Sequence, residues 1–417
     1  MSNRIDRRQM LVGGVGIAGL LAGGLPLAGS KLFAGEPDAA LKLPDRSAEA
    51  PSQPVAITRC PSYEPQVLRR QLDEALNLIG GLRPLVEGKT VAIKMNLTGG
   101  PTQKLGGLPA FRTYHVHPNV VAALCAALVD AGARRIMLLE SHYSRKRPED
   151  VYAAAGWDID MIHRASAGKV SWEDTRNRGR WPKYSRLPVA WGGYLYPAFD
   201  VNQSYEKTDV FISLAKLKDH GQAGVTMAVK NLFGMVPTSL YGGDAPNEDS
   251  IHYRGDILHF GKKKVPAGVP GEVPNTVAVG DWRKRVPRVT ADCFGARPVD
   301  LAVIDAIETN RGGEGPWIPG VEPLAPKLLL VGRNAVCTDA IGAAVMGYNP
   351  MADHGQFPFQ GENHLKLLAR VGAGAIDPAR IEVRGLSVKE ALFPFNPQRK
   401  KVVHPLSYHR HFVPEAV

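Results

Sequence analysis

The stretch DVFISLAKLKDHGQAGVTMAVKNLFG, residues 209 to 234, decides the fold that this sequence predicts. It begins with an apolar, β-branched run typical of a buried strand, and it ends with the spacing of a helix over about residues 225–233. Between these two parts lie Lys216, Lys218, Asp219 and His220. A strand with a polar end that leads into a helix is the repeating unit of a parallel sheet.

The same alternation extends along most of the chain. Further strands are predicted in VAITR, VAIKMNL, RRIMLLES, LAVIDAI and KLLLVG, and helices over about residues 65–79, 118–131, 148–155 and 335–346. We therefore predict an α/β fold, a mostly parallel sheet with helices on both faces. Irregular insertions are expected at about 157–207 and 236–298.

The N-terminus has the features of an export signal. Arg7 and Arg8 precede a glycine-rich uncharged run, and RRQML is typical of a twin-arginine signal. We expect a signal peptide over 1–34, a linker over 35–53, the α/β domain over 54–393 and a tail over 394–417. The predicted partner is the twin-arginine export machinery, and the predicted location is the periplasm or another compartment reached by this pathway, with no stable membrane span after cleavage. The alternative is an uncleaved anchor, although the run is barely long enough to cross a bilayer.

The charge of the chain favours anionic partners. The formal net charge of the 417 residues is +11, and it falls to +8 if residues 1–34, with four basic residues and one acidic residue, are removed. The basic residues form no stripe interleaved with aromatic residues, so we predict no nucleic-acid binding.

The four cysteines, Cys60, Cys125, Cys293 and Cys337, lie far apart without a Cys-x-x-Cys pair, so no iron–sulfur cluster is expected. Disulfide formation stays open. Neither a Gly-x-Ser-x-Gly sequence nor a phosphate-binding Gly-x-x-x-x-Gly-Lys loop is present.

Polar residues recur where the predicted strands end. In an open parallel sheet, ligands bind beyond the carboxyl ends of the strands. The polar residues at these ends are Lys94, Asn96, Glu140, Ser141, His142, Lys216, Lys218, His220, Asp305, Glu308, Asn310, Arg333 and Asn334. Two of them, Lys94 and Asp305, interrupt apolar strands, where a charge is costly unless it is paired or belongs to a site.

These residues predict a pocket for a carboxylate or a phosphate. Lys216 and Lys218 alternate along the strand and share a face, and the N–H groups of the next helix attract anions. Lys230 and Asn231 follow inside an otherwise apolar helix. The alternatives are that Lys216 and Lys218 protect an edge strand, and that Lys230 extends along a helix flank to solvent.

The acidic residues allow a second kind of site. Asp305, Glu314 and Asp339 offer hard oxygen ligands for a divalent metal, or could act as general acid and base. No pair of histidines at metal-binding spacing supports the metal hypothesis.

The sequence resembles a bacterial and archaeal group, the domain of unknown function 362 family. The resemblance rests on VAIKMNLTGG, on the block from KTDVFISLAKLKDH to VKNLFGMVP, on LAVIDAIETNRGGEGP and on LLLVGRNAVCTDAIGAAVMGY, and it covers about residues 54–372. It implies an α/β fold and supplies no reaction. Many relatives carry a ferredoxin-like segment with clustered cysteines, which this chain lacks. The positions implied for a shared site are Lys94, Asn96, Lys216, Lys218, His220, Lys230, Asn231, Asp305, Glu314, Gly315 and Asp339.

We expect an exported enzyme that acts on a small anionic substrate. The expected catalytic residues are Lys230, Asp305 and His220. The expected substrate-binding residues are Lys94, Asn96, Lys216, Lys218, Asn231 and Gly315. The expected ligands of a divalent metal are Asp305, Glu314 and Asp339. One alternative is a non-catalytic periplasmic protein that binds a ligand or handles a cofactor. Another is a buried ion-pair network in which Lys230 contacts Asp305 and no cavity exists.

Overall fold

The structure is a computed structural model that describes residues 43–177, 184–261 and 280–396. The predicted signal peptide over 1–34 and the predicted tail beyond residue 396 lie outside the described residues. Within the described ranges, no helix combines the length and the apolar character needed to cross a bilayer.

The strands form one large sheet and three small hairpins. The strands of the described residues are β1 (Val55–Arg59), β2 (Thr90–Lys94), β3 (Arg135–Glu140), β4 (Val170–Asp174), β5 (Tyr184–Pro188), β6 (Ala198–Asn202), β7 (Val210–Lys216), β8 (Lys218–His220), β9 (Gly224–Thr226), β10 (Leu301–Ala306), β11 (Thr309–Arg311), β12 (Glu322–Leu324), β13 (Leu328–Gly332) and β14 (Val383–Gly385). The large sheet has eight strands in the order β14-β1-β13-β10-β7-β2-β3-β4. It is mostly parallel, as predicted.

Helices cover both faces of this sheet. The α-helices of the described residues are α1 (Pro65–Leu78), α2 (Arg83–Val86), α3 (Pro118–Asp130), α4 (Pro148–Ala154), α5 (Ile159–Ala165), α6 (Ser204–Lys207), α7 (Ala228–Asn231), α8 (Thr238–Tyr241), α9 (Gly255–Leu258), α10 (Trp282–Ala296), α11 (Ala335–Val345), α12 (His364–Arg370) and α13 (Val388–Ala391). One apolar core contains α1, α3 and α5 and lies on the face that we name the α1 face. The other contains α7, α10 and α11 and lies on the face that we name the α11 face.

One strand runs against the others. β13 is antiparallel to both of its neighbours, β1 and β10, whereas β10, β7, β2, β3 and β4 are mutually parallel. The carboxyl end of β13 therefore lies on the side of the sheet opposite to the carboxyl ends of the other strands. This corrects the expectation that Arg333 and Asn334 join the site. Asn334 instead caps α11, because its side chain accepts hydrogen bonds from the N–H groups of Val336 and Cys337.

The segment after β7 also differs from its prediction. The predicted helix over about 225–233 is shorter, since β8 and β9 form a hairpin first and α7 begins at Ala228. A 3₁₀ helix over Leu232–Met235 follows it directly. Lys216 ends β7, which is an interior strand of the sheet. The alternative of edge-strand protection therefore does not apply to Lys216.

The segments predicted to be irregular contain regular elements. The first insertion provides β4 at the edge of the sheet and the hairpin of β5 and β6. The second provides α10, which packs on the α11 face. Residues 43–53, predicted as part of a linker, lie against the domain. Here the guanidinium of Arg380 donates to the carbonyls of Ser47, Ala48 and Ala50.

Candidate functional site

A small cavity lies at the carboxyl ends of β2 and β3 on the α11 face. Its volume is about 80 Å³, and it is closed by α7, by the hairpin of β8 and β9, and by residues of the second insertion. Six of the predicted site residues line it: Lys94, Asn96, His220, Lys230, Asn231 and Glu314. Lining residues that the sequence analysis did not select include Tyr143, Thr226, Phe233, Tyr253, Arg254 and His259.

Asp339 fixes the position of α7. Its buried carboxylate accepts hydrogen bonds from the N–H groups of Ala228 and Val229, at 2.9 and 2.8 Å. These N–H groups belong to the first turn of a helix and have no partner within it. Burial raises the pKa of Asp339 to about 8, against the lowering effect of the two N–H groups. Asp339 is thus a positioning residue outside the cavity wall.

Asn231 connects α7 to the sheet. Its Nδ2 donates to the carbonyl of Lys94 at 3.1 Å and to Oγ of Ser213 at 3.0 Å. Its Oδ1 accepts a hydrogen bond from Nζ of Lys94 at 3.4 Å. A side chain that bridges β2 and β7 in this way holds the helix, and therefore Lys230, at a fixed height above the strand ends.

Lys94 is neutralised inside the protein. Its Nζ donates to Oε2 of Glu140 at 2.7 Å, and both side chains are buried. Gly234 packs against this pair, and a Cβ at that position would lie 2.9 Å from Nζ of Lys94. A side chain on residue 234 would therefore push the ion pair apart or close the cavity.

Lys230 has no such partner. Its Nζ lies 4.1 Å from the ring centroid of Phe233. Among the residues that the structure describes, none accepts a hydrogen bond from this ammonium group or forms an ion pair with it within 4.0 Å. Burial lowers its pKa to about 8, and the negative charge of Glu314 opposes that shift. The alternative in which Lys230 contacts Asp305 and no cavity exists does not describe this structure.

Arg254 brings a second cation to the cavity from the second insertion. It is buried, and its guanidinium donates to the carbonyls of Val236 and Ser141 and to the hydroxyl of Tyr143. Within the described ranges, no carboxylate lies within 4.0 Å of it. Arg254 could not be predicted from the sequence, because it follows no strand and lies in a stretch without periodicity.

Glu314 faces the cavity from the loop after β11. Its Oε2 accepts a hydrogen bond from the N–H of Gly221 at 2.9 Å. Its backbone carbonyl accepts a hydrogen bond from Nζ of Lys218 at 3.1 Å, and the same ammonium donates to the carbonyl of Tyr114 at 2.6 Å. Lys218 therefore positions this loop and does not line the cavity. Burial lowers the pKa of Lys218 to about 7.

His220 completes this side of the cavity. Its Nδ1 faces the N–H groups of Gln222 and Ala223, at 3.2 and 3.3 Å. A ring nitrogen that accepts hydrogen bonds carries no proton, so these contacts favour the neutral ring with its proton on Nε2.

Lys216 and Asp305 lie on the other face of the sheet. Side chains alternate between the two faces along a strand, and these two residues point to the α1 face, whereas Lys94 points to the α11 face. Nζ of Lys216 and Oδ2 of Asp305 are 2.8 Å apart, and both side chains are fully buried. The hydroxyl of Tyr63 also donates to this carboxylate. Lys216, expected to bind substrate, and Asp305, expected to be catalytic, therefore lie outside the cavity wall.

The expected metal ligands are not brought together. Asp305 is paired with Lys216, Asp339 caps α7, and only Glu314 lines the cavity. Across residues 43–177, 184–261 and 280–396, no group of three or more His, Cys, Asp or Glu residues is arranged to hold a metal ion. Gly315, expected to bind substrate, lies under Trp317, whose ring would be 2.4 Å from a Cβ at this position.

The cavity is richer in positive than in negative groups. Lys94, Lys230 and Arg254 contribute cations, and Glu140 and Glu314 contribute carboxylates. Because Glu140 forms an ion pair with Lys94, the cations of Lys230 and Arg254 remain against the single carboxylate of Glu314. The lining therefore favours an anion over a cation.

Comparison with known proteins places this site in a family. The model of the family described as Domain of unknown function (DUF362) matches residues 91–344, well over half of the chain. The chain belongs to the DUF362 family. The matched range includes every residue that lines the cavity, from Lys94 to Glu314.

The chain is also similar to a thylakoid-associated protein of Synechocystis sp., with 30% identity over 191 residues. That match covers 44% of this chain and 50% of the relative, so the chain spans about half the length of this curated relative. Among solved structures, a Thermotoga maritima protein matches with 14% identity and a TM-score of 0.33. This match covers 67% of the chain and 57% of the Thermotoga maritima chain.

We expect the pair of Lys216 and Asp305 to support the fold and not ligand binding. Lys216→Met leaves a buried carboxylate uncompensated and should lower the free energy of unfolding by about 3–5 kcal/mol. Adding Asp305→Asn to this variant should recover part of the loss, because the uncompensated charge is then gone. Urea unfolding of the single and double variants measures the coupling.

The control is an exposed pair on the surface. Glu87→Gln, beside Arg83, should change stability by less than about 1 kcal/mol because both side chains are 61% exposed. Additive losses in the Lys216 and Asp305 variants would contradict the proposed pairing.

Proposed function

We propose that this DUF362 protein is an enzyme that binds a small carboxylate or phosphate in the cavity above β2 and β3. The observation that carries the proposal is the buried ammonium of Lys230, which has no anionic partner in the described part of the chain. The guanidinium of Arg254 lines the same cavity, also without a carboxylate partner.

A buried charge without a partner costs free energy, so it is retained where it serves binding or catalysis. Lys230 is 8% exposed and Arg254 is 5% exposed, so neither cation is solvated like a surface side chain. A bound anion would supply the hydrogen-bond acceptors that the protein does not offer to Lys230. Hydrogen bonds between an ammonium and an oxyanion are among the strong ones in proteins.

The size of the cavity limits the ligand. About 80 Å³ holds several water molecules or one small anion. Pockets for drug-sized molecules are larger, roughly 300–1,000 Å³. The site therefore suits a small acid or the charged end of a longer molecule.

The chemistry that this arrangement supports is proton transfer to or from the bound anion. A lysine with a pKa of about 8 is present in both protonation states near neutral pH and can act as a general acid or a general base. Lys230 is the candidate for this role. His220 lines the same cavity and is the second candidate.

Replacing Lys230 should weaken anion binding. We expect Lys230→Met to lower the affinity for inorganic phosphate or acetate, whichever binds wild type, by about 10- to 100-fold, because one charge-assisted hydrogen bond is lost. Lys230→Arg keeps the charge and should retain more of the affinity. Isothermal titration calorimetry measures both variants, and circular dichroism checks that they fold. Unchanged affinity in Lys230→Met would remove the basis of the proposal.

The affinity should also depend on pH. The pKa of Lys230 lies at about 8, so the ammonium is fully charged below this pH and loses its charge above it. The anion affinity of wild type relative to that of Lys230→Arg at the same pH is therefore expected to be constant between pH 6 and 7 and to fall as the pH rises through 8. Calorimetric titrations from pH 6 to 10 give the profile. Lys230→Arg provides the control, since its guanidinium keeps its charge over the whole range. A profile in wild type that is as flat as that of Lys230→Arg would contradict the assigned role.

We also propose that the protein acts outside the cytoplasm after twin-arginine export. The support for this proposal is the sequence of residues 1–34 alone. Replacing Arg7 and Arg8 by lysine should retain the protein in the cytoplasm, as measured by cell fractionation of the full chain. Arg4→Lys, outside the twin-arginine pair, is the matched control. Equal export of the double variant and the control would argue against this route.

A further inference from the structure

Two residues that line the cavity each carry a buried side-chain oxygen that has no hydrogen-bond partner among the described residues. These oxygens are Oε1 of Glu314 and Oγ1 of Thr226. Glu314 is 2% exposed and Thr226 is 4% exposed, and both residues line the cavity. Buried polar atoms in native proteins are normally hydrogen-bonded, so two unpaired oxygens on residues that line one small cavity indicate that water or a ligand is their partner.

The two oxygens and the ammonium of Lys230 need different kinds of hydrogen-bond partner. An ionised carboxylate only accepts hydrogen bonds, and Oε2 of Glu314 already accepts one from Gly221. Oε1 therefore needs a donor from the ligand. Lys230 on the same cavity needs an acceptor, and Arg254 adds a positive charge there although its guanidinium already donates to two carbonyls and a hydroxyl. The cavity wall therefore offers hydrogen-bond donors to a negatively charged group and a hydrogen-bond acceptor to a donor group of the ligand.

We propose that the ligand is a small oxyanion that also carries an O–H group, either hydrogen phosphate or a short hydroxy acid. This inference rests on the proposed anion site and states which anions that site prefers. The negatively charged oxygens face Lys230, and the O–H donates to Oε1 of Glu314. The hydroxyl of Thr226 can donate or accept and serves either ligand.

A hydroxyl fits this wall better than an ammonium does. Lys94 is paired with Glu140, but Lys230 and Arg254 remain, so an amino acid would bring a third positive charge beside these two cations. An anion without a proton fits poorly for the opposite reason, since it would place a negative oxygen against the carboxylate of Glu314. Repulsion of this kind gives selectivity without a new attractive contact.

Two matched pairs of probes test the inference. Inorganic phosphate and sulfate have the same shape, but only phosphate keeps a proton at neutral pH. Lactate and propionate are both small carboxylates, but only lactate carries a hydroxyl. For wild type at pH 7, calorimetry should show at least about tenfold tighter binding of the O–H member in one pair. A preference for phosphate over sulfate identifies the ligand as hydrogen phosphate, and a preference for lactate over propionate identifies it as a hydroxy acid.

Glu314→Gln should invert the preference. The amide oxygen can keep the hydrogen bond from Gly221, which turns the amide NH₂ toward the cavity and offers a donor where the wild type offers an acceptor. Sulfate or propionate should then bind at least as tightly as its partner. General destabilisation weakens all probes together and cannot produce this inversion. Thr226→Val, which preserves shape, should lower affinity without inverting the order.

The outcomes separate the two proposals. Equal binding of both members of each pair by wild type, with weaker binding by Lys230→Met, would overturn the selectivity and leave the anion site intact. Preference for sulfate or propionate in wild type would also overturn it. If wild type bound none of the four probes, both proposals would fail. The comparison in wild type decides the matter even if Glu314→Gln does not fold.

Discussion

The structure at the carboxyl ends of the strands depends on how the charges of buried ammonium groups are compensated. An ammonium inside a protein is tolerated only with partners that replace water. Lys94 is paired with Glu140, Lys216 is paired with Asp305, and Lys218 donates to two backbone carbonyls. Lys230 lacks a comparable partner in the described ranges. The constraint that stabilises three lysines is therefore not met for the fourth by any described residue, and the proposed anion site rests on this difference.

The sheet separates the supporting residues from the cavity. On the α1 face, Lys216 and Asp305 form a closed ion pair with no role in the cavity wall. On the α11 face, Asp339 and Asn231 hold α7 against the sheet, and α7 in turn holds Lys230 over the strand ends. These contacts hold Lys230 in place without an anionic partner among the described residues, and the proposed anion site depends on such preorganisation.

Much of this arrangement could be predicted from the sequence. The β-branched runs and their polar ends predicted a mostly parallel α/β sheet and selected Lys94, His220, Lys230 and Asn231, which line one cavity. The reversal of β13 could not be predicted, because strand direction depends on how the connections pack and not on local composition. Arg254 was missed because the irregular insertion that carries it has no period from which to infer its position.

The sequence by itself determined the spacing of polar residues along each strand, and hence that charges would gather where the strands end. Only the tertiary structure decided which charges neutralise one another. The partners are far apart in the chain, as with Lys94 and Glu140 or Lys216 and Asp305, and side chains two residues apart share a face whereas neighbours do not. Whether a buried lysine is paired depends on these long-range contacts, so only the folded chain shows that Lys230 has no anionic partner among the described residues.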